Sequence, residues 1–276
     1  MRILIISNYF SPGNSPRSLR WTAIAEYWAK NGDEVYVVSK AQNCVKRYEK
    51  ENQVEIYRVG LDFSRVKSLI SNEATLKKSI KFHFNIKEVF LRIIKVLWRF
   101  FYWPDSSMFW IFPAYIKSRN LLRNKNFDLL ITVSHPFSSH LVGLLLKKDK
   151  SIKWVADSGD PYSLELESPA NNLLIWKKLN LFVERKLLHE VDLFSVTTDT
   201  TLNLYELNFE KLSNKIIVIP PLYRPVKFDN TKSFTNQNKI LFLYVGTFYQ
   251  TTRPPVVLID FFEKVIKLNC FGNVNV

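Results

Sequence analysis

The alternation of short apolar runs with amphipathic stretches most constrains the fold of this chain. Residues 3–6 form an unbroken apolar run, which is typical of a strand buried on both faces of a parallel sheet. Ser15 and Pro16 then predict a helix start, because serine caps helices and proline fits the first helical turn. Gly32 predicts the helix end, and residues 34–39 predict a second strand. This segment therefore indicates a strand–helix–strand unit with a right-handed crossover.

The same alternation continues to about residue 219 and predicts a doubly wound, mostly parallel, Rossmann-like α/β sheet. Residues 222–239 are polar and rich in turn-forming residues, so they predict a linker. Residues 1–221 are then one domain, and residues 240–276 hold the first strand and helix of a second Rossmann-like domain. Further strands are predicted at 54–59, 129–133, 153–156, 193–197 and 216–219, and helices at 85–101, 107–123, 139–148, 173–190, 200–208 and 256–268.

Charge and cysteine content limit the classes of partner. The formal net charge of +14 favours an anionic partner such as a phosphate, a nucleic acid or an acidic membrane surface, although a plain Lys- and Asn-rich surface explains it equally well. We find no nucleic-acid-binding motif, so we expect no nucleic-acid partner. The two cysteines share no motif, and the N-terminus does not have the pattern of a secretory signal. No stretch reaches the ~18 apolar residues of a membrane span, so we expect a cytoplasmic protein, soluble or peripheral.

Ligands of doubly wound sheets bind beyond the carboxyl ends of the strands, so the loops after strands are the candidate sites. Gly13 precedes a helix N-terminus that carries Arg17 and Arg20, which suits an anion, although an ordinary glycine-containing loop is the alternative. His135 follows the strand at 129–133; it can serve a site or make a structural hydrogen bond, and His140 is expected to be structural.

The loop after the strand at 153–156 carries two carboxylates. Asp157 and Asp160 flank Gly159 and suit hydroxyl binding or catalysis, with capping of backbone N–H groups as the alternative. These loops supply too few carboxylates and histidines for a full set of metal ligands, so we expect no metal.

The predicted helix at 85–101 interleaves basic and aromatic residues. Arg92, Lys95, Trp98 and Arg99 are expected to face an anionic membrane surface. The alternative is a helix packed on the core with a solvated basic face.

Taken in order, these segments resemble glycosyltransferase family 4, the retaining enzymes of the GT-B fold. The resemblance spans residues 1–268 and is closest to the bacterial polysaccharide-biosynthesis type, in which "D-x-x-D-P-[WY]" is usual. The matching segments are "ILIISNYFSPGNSPRSLRWTAIAEYWAKNGDEVYVVS", "WPDSSMFW", "FDLLITVSHPFSSHLVGLLLKK", "KWVADSGDPY", "ERKLLHEVDLFSVTTDTT" and "KIIVIPPLY".

The resemblance implies an N-terminal domain that holds the acceptor and a C-terminal domain that binds a UDP- or GDP-linked sugar, with no metal cofactor. It implies transfer to a saccharide or lipid-linked acceptor in cell-surface polysaccharide synthesis, at the inner face of the cell membrane. The implied catalytic residues are His135 and Asp160, and Asp157 joins Asp160 on the acceptor side. The implied donor-phosphate residues are Gly13, Arg17, Gly246 and Arg253.

The chain departs from the family in one respect: the E-x7-E stretch that holds the nucleotide-sugar in most members is absent. The expectation is therefore a fragment that carries most of the acceptor-side domain and little of the donor domain. A non-catalytic acceptor- or membrane-binding remnant is the alternative. A basic membrane- or nucleic-acid-binding α/β protein of another class would leave the series of loops unexplained.

Overall fold

A computed structural model of the chain describes residues 1–42, 45–61, 103–147, 152–164, 174–222, 246, 248 and 254–267. It divides into two compact units, Met1–Arg224 and Pro225–Val276. The predicted helix at 85–101 and the predicted strand at 240–245 lie outside the described residues. No helix among the described ranges is both long and apolar enough to cross a bilayer.

The first unit contains an eight-stranded, mostly parallel sheet of order β3-β4-β2-β1-β5-β6-β7-β8. Its strands run outward in both directions from β1 and β5, which confirms the doubly wound α/β fold. The strands are β1 Arg2–Ser7, β2 Glu34–Lys40, β3 Tyr48–Glu51, β4 Val54–Val59, β5 Leu129–Ser134, β6 Lys153–Ser158, β7 Leu193–Val196 and β8 Ile216–Val218.

The helices of this unit lie where the periodicity predicts them, within one or two residues. Ser15 caps the first helix as predicted, since its Oγ accepts from the amide of Ser18 at 3.2 Å. The helices are α1 Pro16–Lys30, α2 Met108–Asn124, α3 Ser138–Lys147, α4 Leu174–Glu190 and α5 Asp199–Asn208; a 3₁₀ segment, Glu210–Lys215, precedes β8.

The apolar run of β1 is unbroken because both faces of the sheet are covered. Leu4 and Ile6 belong to the core on one face, and Ile3 and Ile5 belong to the core on the other. All four side chains are almost fully buried. The period-2 alternation of a strand therefore distributes one apolar run between two cores.

Strand β3 was not predicted. It pairs antiparallel with β4 at the edge of the sheet, and its residues YEKE have no apolar alternation because most of them face solvent. The turn that joins the two strands holds Asn52 and Gln53 at positive φ. Charged residues on an edge strand discourage its pairing with other chains. The same charged composition gives β3 no apolar pattern, and the strand could therefore not be predicted from hydrophobic periodicity.

In the second unit the described element is α6, Pro255–Lys267, which agrees with the helix predicted at 256–268. Its apolar residues Val256, Val257 and Ile259 are each more than half exposed.

Candidate active site

The carboxyl ends of β1, β5 and β6 bring three candidate loops to one edge of the sheet. The strands are neighbours, and Ser134 at the end of β5 pairs with Ser158 at the end of β6. The half-buried His135 and the exposed Asp160 therefore leave adjacent strands at the same edge. The N-terminus of α1, with Arg17, faces this edge because α1 follows the loop after β1.

An ion pair joins the loop after β1 to the loop after β6. Nη2 of Arg17 lies 2.5 Å from Oδ2 of Asp160, and the side chains are 24% and 57% exposed. Gly159 allows this approach, since a Cβ there would lie 2.7 Å from the same nitrogen of Arg17. The carbonyl of Gly159 also accepts from Oγ1 of Thr197 at 2.8 Å, which ties the loop to the end of β7. Arg17, Gly159 and Asp160 therefore form one contact set.

Asp157 lies in β6 rather than in the loop, because β6 continues two residues beyond its predicted end. Its carboxylate is buried and accepts from Nε1 of Trp21 at 2.8 Å and from Oγ of Ser195 at 2.8 Å. Arg20 Nη2 lies 3.2 Å from the same carboxylate. Both carboxylate oxygens are thus bonded to side chains of the protein.

Arg20 was expected to add charge at the anion-binding end of α1, and the structure corrects this. Its guanidinium is buried, pairs with Asp157 and donates to the carbonyl of Ile219 at 3.3 Å. Arg17 lies one turn nearer the helix start and keeps part of its surface exposed. Of the two arginines, Arg17 is therefore the one that an incoming anion can reach.

The loop of Gly13, which follows β1, is held by a buried arginine of β4 that the unpredicted strand β3 supports. Arg58 of β4 is buried and donates to the carbonyl of Ser11 at 2.7 Å, while Glu49 of β3 lies 2.5 Å from its guanidinium. Gly13 donates to the carbonyl of Phe10 at 3.0 Å, and a Cβ at position 13 would lie only 3.1 Å from that oxygen. The loop shape thus depends on a buried cation that local sequence patterns did not indicate.

His140 is structural, as expected. It is fully buried in α3, and its Nδ1 lies 2.7 Å from Oγ1 of Thr132, which also accepts from Nε1 of Trp154 at 3.0 Å. Burial lowers the pKa of His140 to about 3, with smaller contributions from the nearby charges of His135 and Arg17.

A ring contact packs the loop of His135 against the loop of Asp160, and a buried aspartate fixes the start of α3. The ring of Phe137 stacks on that of Tyr162, with centroids 3.8 Å apart and planes inclined by 14°. The buried carboxylate of Asp105 accepts from the amide of Ser138 at 2.9 Å and from its hydroxyl at 2.6 Å, at the start of α3. The matching segments "WPDSSMFW" and "KWVADSGDPY" contain Asp105 and Tyr162, but no local pattern indicated these contacts.

The remaining predicted site residues lie in the second unit or outside the described residues. Gly246 is exposed and belongs to the second unit. Arg253 and the four residues expected to face a membrane, Arg92, Lys95, Trp98 and Arg99, lie outside the described residues. Within the described ranges, no group of three or more His, Cys, Asp or Glu residues is placed to hold a metal ion.

A cleft of about 490 Å³ lies at the opposite edge of the sheet, at the amino ends of β2 and β4. Glu34, Tyr36, Lys50 and Glu55 are among the residues that line it. Doubly wound sheets bind their ligands at the carboxyl edge, so we assign no role in the site to this cleft.

Solved structures similar to this chain include the sucrose-phosphate synthase of Thermosynechococcus elongatus, at 14% identity and a TM-score of 0.48, covering 79% of this chain and 47% of that one. A glycosyltransferase of Streptomyces sp. SF2575 aligns at 13% identity with a TM-score of 0.37, covering 73% of this chain and 51% of that one. The same Streptomyces enzyme complexed with thymidine diphosphate aligns at 15% identity with a TM-score of 0.35, covering 71% and 48%. The chain spans about half the length of these neighbours.

No curated protein matches the sequence significantly. The family model described as Glycosyltransferase Family 4 matches residues 20–223, which is well over half of the chain and includes the loops of His135 and Asp160. The chain belongs to glycosyltransferase family 4.

Proposed function

We propose that this protein takes part in the transfer of a sugar from a UDP- or GDP-linked donor to a saccharide or lipid-linked acceptor, with retention, in cell-surface polysaccharide synthesis. The observation that carries the proposal is the contact between Arg17 and Asp160 at the carboxyl edge of the sheet, on a chain of this family. The contact places a cation and a carboxylate at the edge where this class of fold binds ligands.

Arg17 is suited to the donor phosphates. It lies in the first turn of α1, where backbone amides and the helix dipole favour an anion. The side chain is already held at the sheet edge by Asp160, so little reorganisation is needed when a diphosphate arrives. Gly13 leaves room for close approach of the same phosphates, and we propose Gly246 and Arg253 as further phosphate-binding residues.

Asp160 and His135 are suited to the reacting sugar hydroxyls. In the transfer, the bond between the donor sugar carbon and the diphosphate oxygen breaks, and a bond from that carbon to the acceptor oxygen forms on the same face. The acceptor proton passes to the departing diphosphate. We propose that Asp160 accepts a hydrogen bond from the acceptor hydroxyl and that His135 donates to a donor-sugar hydroxyl or to the diphosphate. Transfer on this scheme needs no metal ion, so EDTA should leave the rate unchanged.

A membrane role would suit a lipid-linked acceptor. We propose that Arg92, Lys95, Trp98 and Arg99 bind an anionic surface on the cytoplasmic face of the membrane, consistent with the net charge of +14. Co-sedimentation with anionic and neutral liposomes tests this, and charge-reversal variants at Arg92 and Lys95 should abolish the preference. Equal recovery with both kinds of liposome would contradict it.

Transfer itself is tested by incubating the purified protein with labelled UDP- and GDP-sugars and a lipid or saccharide extract from the source cells. A protein that contains this chain together with a donor-binding domain should release nucleotide and label the acceptor, and R17Q and D160N should each lower the rate by about 10²-fold. The matched control is D192N, since Asp192 accepts from the amide of Trp154 at the opposite edge of the sheet. Acceptor binding without transfer would favour a non-catalytic binding role, and neither binding nor transfer would overturn the proposal.

A further inference from the structure

Glu184 of α4 is a buried carboxylate whose donors come from the loop of Asp160. The amides of Tyr162 and Ser163 donate to its two oxygens at 3.2 and 2.9 Å, and the Ser163 hydroxyl donates as well. The hydroxyl of Tyr205 on α5 donates at 2.5 Å. The side chain of Glu184 is almost fully buried, and among the described residues no lysine or arginine forms an ion pair with it. The carboxylate is therefore satisfied by the loop and by one tyrosine.

Asn180 extends this contact one helical turn earlier on α4. Its Oδ1 lies 2.9 Å from the hydroxyl of Tyr162 and accepts from Nε1 of Trp103 at 2.7 Å. Residues four apart lie on the same helix face, so Asn180 and Glu184 hold the two polar ends of Tyr162 between them. The amide of Tyr162 is fixed by Glu184, and its hydroxyl is fixed by Asn180.

Tyr162 carries the restraint from one loop to the other. Its ring stacks on Phe137, which lies two residues after His135, and its amide lies two residues after Asp160. A displacement of Tyr162 would therefore move Asp160 relative to both His135 and Arg17. Through this stacking, the contacts that α4 makes with Tyr162 can affect the position of His135 at the edge of the sheet.

We propose that Glu184 is a positioning residue that fixes the loop of Asp160 relative to the loop of His135, and this role rests on the function proposed above. A carboxylate is required because it accepts on both oxygens, and the four donors use both of them. Glutamine keeps the shape of the side chain, but its amide group would face at least one of these donors with another donor.

A double-mutant cycle separates positioning from general stability. E184Q should lower kcat by about 10²-fold with little change in the KM of the donor, because misplacement of reacting groups by about 1 Å has effects of that size. In a D160N background, E184Q should have a clearly smaller further effect on kcat, because one of the two groups that Glu184 positions is already lost. Equal effects of E184Q in both backgrounds would overturn the proposal. D192N is the matched control, and its effect on kcat should be the same in the D160N background as in the wild type.

Hydrogen–deuterium exchange tests the same role without any substrate. E184Q should accelerate exchange of the segments 158–164 and 134–138 at least tenfold and leave β1 and β2 unchanged, whereas D192N should not affect either loop. Acceleration throughout the sheet would mean a general structural role and would overturn the proposal. If E184Q does not fold, S163A removes one donor from the loop and should show the same pattern with a smaller amplitude. Altered loop exchange in a protein without transfer activity would uphold the contact and refute the function proposed for the chain.

Discussion

Nη2 of Arg17 lies 2.5 Å from Oδ2 of Asp160, although 143 residues separate the two along the chain. The pair is partly solvated, and exposed ion pairs of this kind contribute only about 0–1 kcal/mol to stability. The contact is therefore better explained by what it places at the sheet edge than by its contribution to folding. It joins the first turn of α1 to the loop after β6.

Replacement by asparagine should destabilise the protein much less at Asp160 than at Asp157. D160N should change the free energy of unfolding by less than about 1 kcal/mol, because the side chain is 57% exposed. D157N leaves the buried Arg20 without its counter-charge and should cost about 3–5 kcal/mol. Urea unfolding of both variants measures the difference. If D160N lost more than about 2 kcal/mol in its free energy of unfolding, Asp160 would have a structural role, contrary to this prediction.

Alanine substitutions at Gly159 and Gly143 should have different effects on transfer activity and on stability. G159A brings a Cβ within 2.7 Å of the Arg17 guanidinium, a flexible group that can move away. The variant should stay within about 1 kcal/mol of wild type and lose transfer activity to the extent that R17Q does. G143A is the contrast: a Cβ there would lie 2.3 Å from the buried ring of Trp154, and the overpacking should cost about 1–3 kcal/mol. Thermal unfolding and the transfer assay together distinguish the two outcomes.

The stability of the protein should fall as the pH is lowered from 6.5 towards 3, with His140 as one cause. Burial lowers the pKa of His140 to about 3 in the folded chain, whereas an unfolded histidine takes up a proton near pH 6.5. The unfolded state therefore binds the proton first, and this group alone should cost about 2 kcal/mol by pH 5. H140N should remove that part of the pH dependence in urea unfolding between pH 5 and 7. H189N, at a histidine that is 77% exposed, is the control and should keep the wild-type slope.

Removal of the Arg58 guanidinium should loosen the glycine loop. R58M leaves the carbonyls of Ser11 and Lys46 without their donor and should cost about 1–3 kcal/mol. The amide of Gly13, which donates to Phe10, should exchange with solvent faster, as measured by hydrogen–deuterium exchange. E49Q is the comparison, because it removes the counter-charge but leaves the guanidinium in contact with Ser11. Unchanged exchange at Gly13 in R58M would mean that the loop is held by other contacts.

The order of strands and helices was predictable because it depends on local periodicity. The apolar run at 3–6, the cap at Ser15 and the glycine at position 32 each report on neighbouring residues only. Strand β3 was missed for the same reason: its alternation is not apolar, and it is defined by its pairing with β4. The positions of Arg17, His135 and Asp160 at the carboxyl edge also followed from the order of elements.

The tertiary structure alone decided which charged groups are buried and what they contact. The sequence by itself determined a doubly wound sheet and the loops at its edge, since strand and helix periods are local properties. It did not determine that Asp157 pairs inward with Arg20 while Asp160 pairs at the edge with Arg17, because that depends on β6 extending to Ser158. Nor did it indicate that Glu184 holds the loop of Asp160, since donors and acceptor are brought together only when α4 packs against the sheet. Contacts between residues far apart in the chain are set by packing, and no local pattern encodes them.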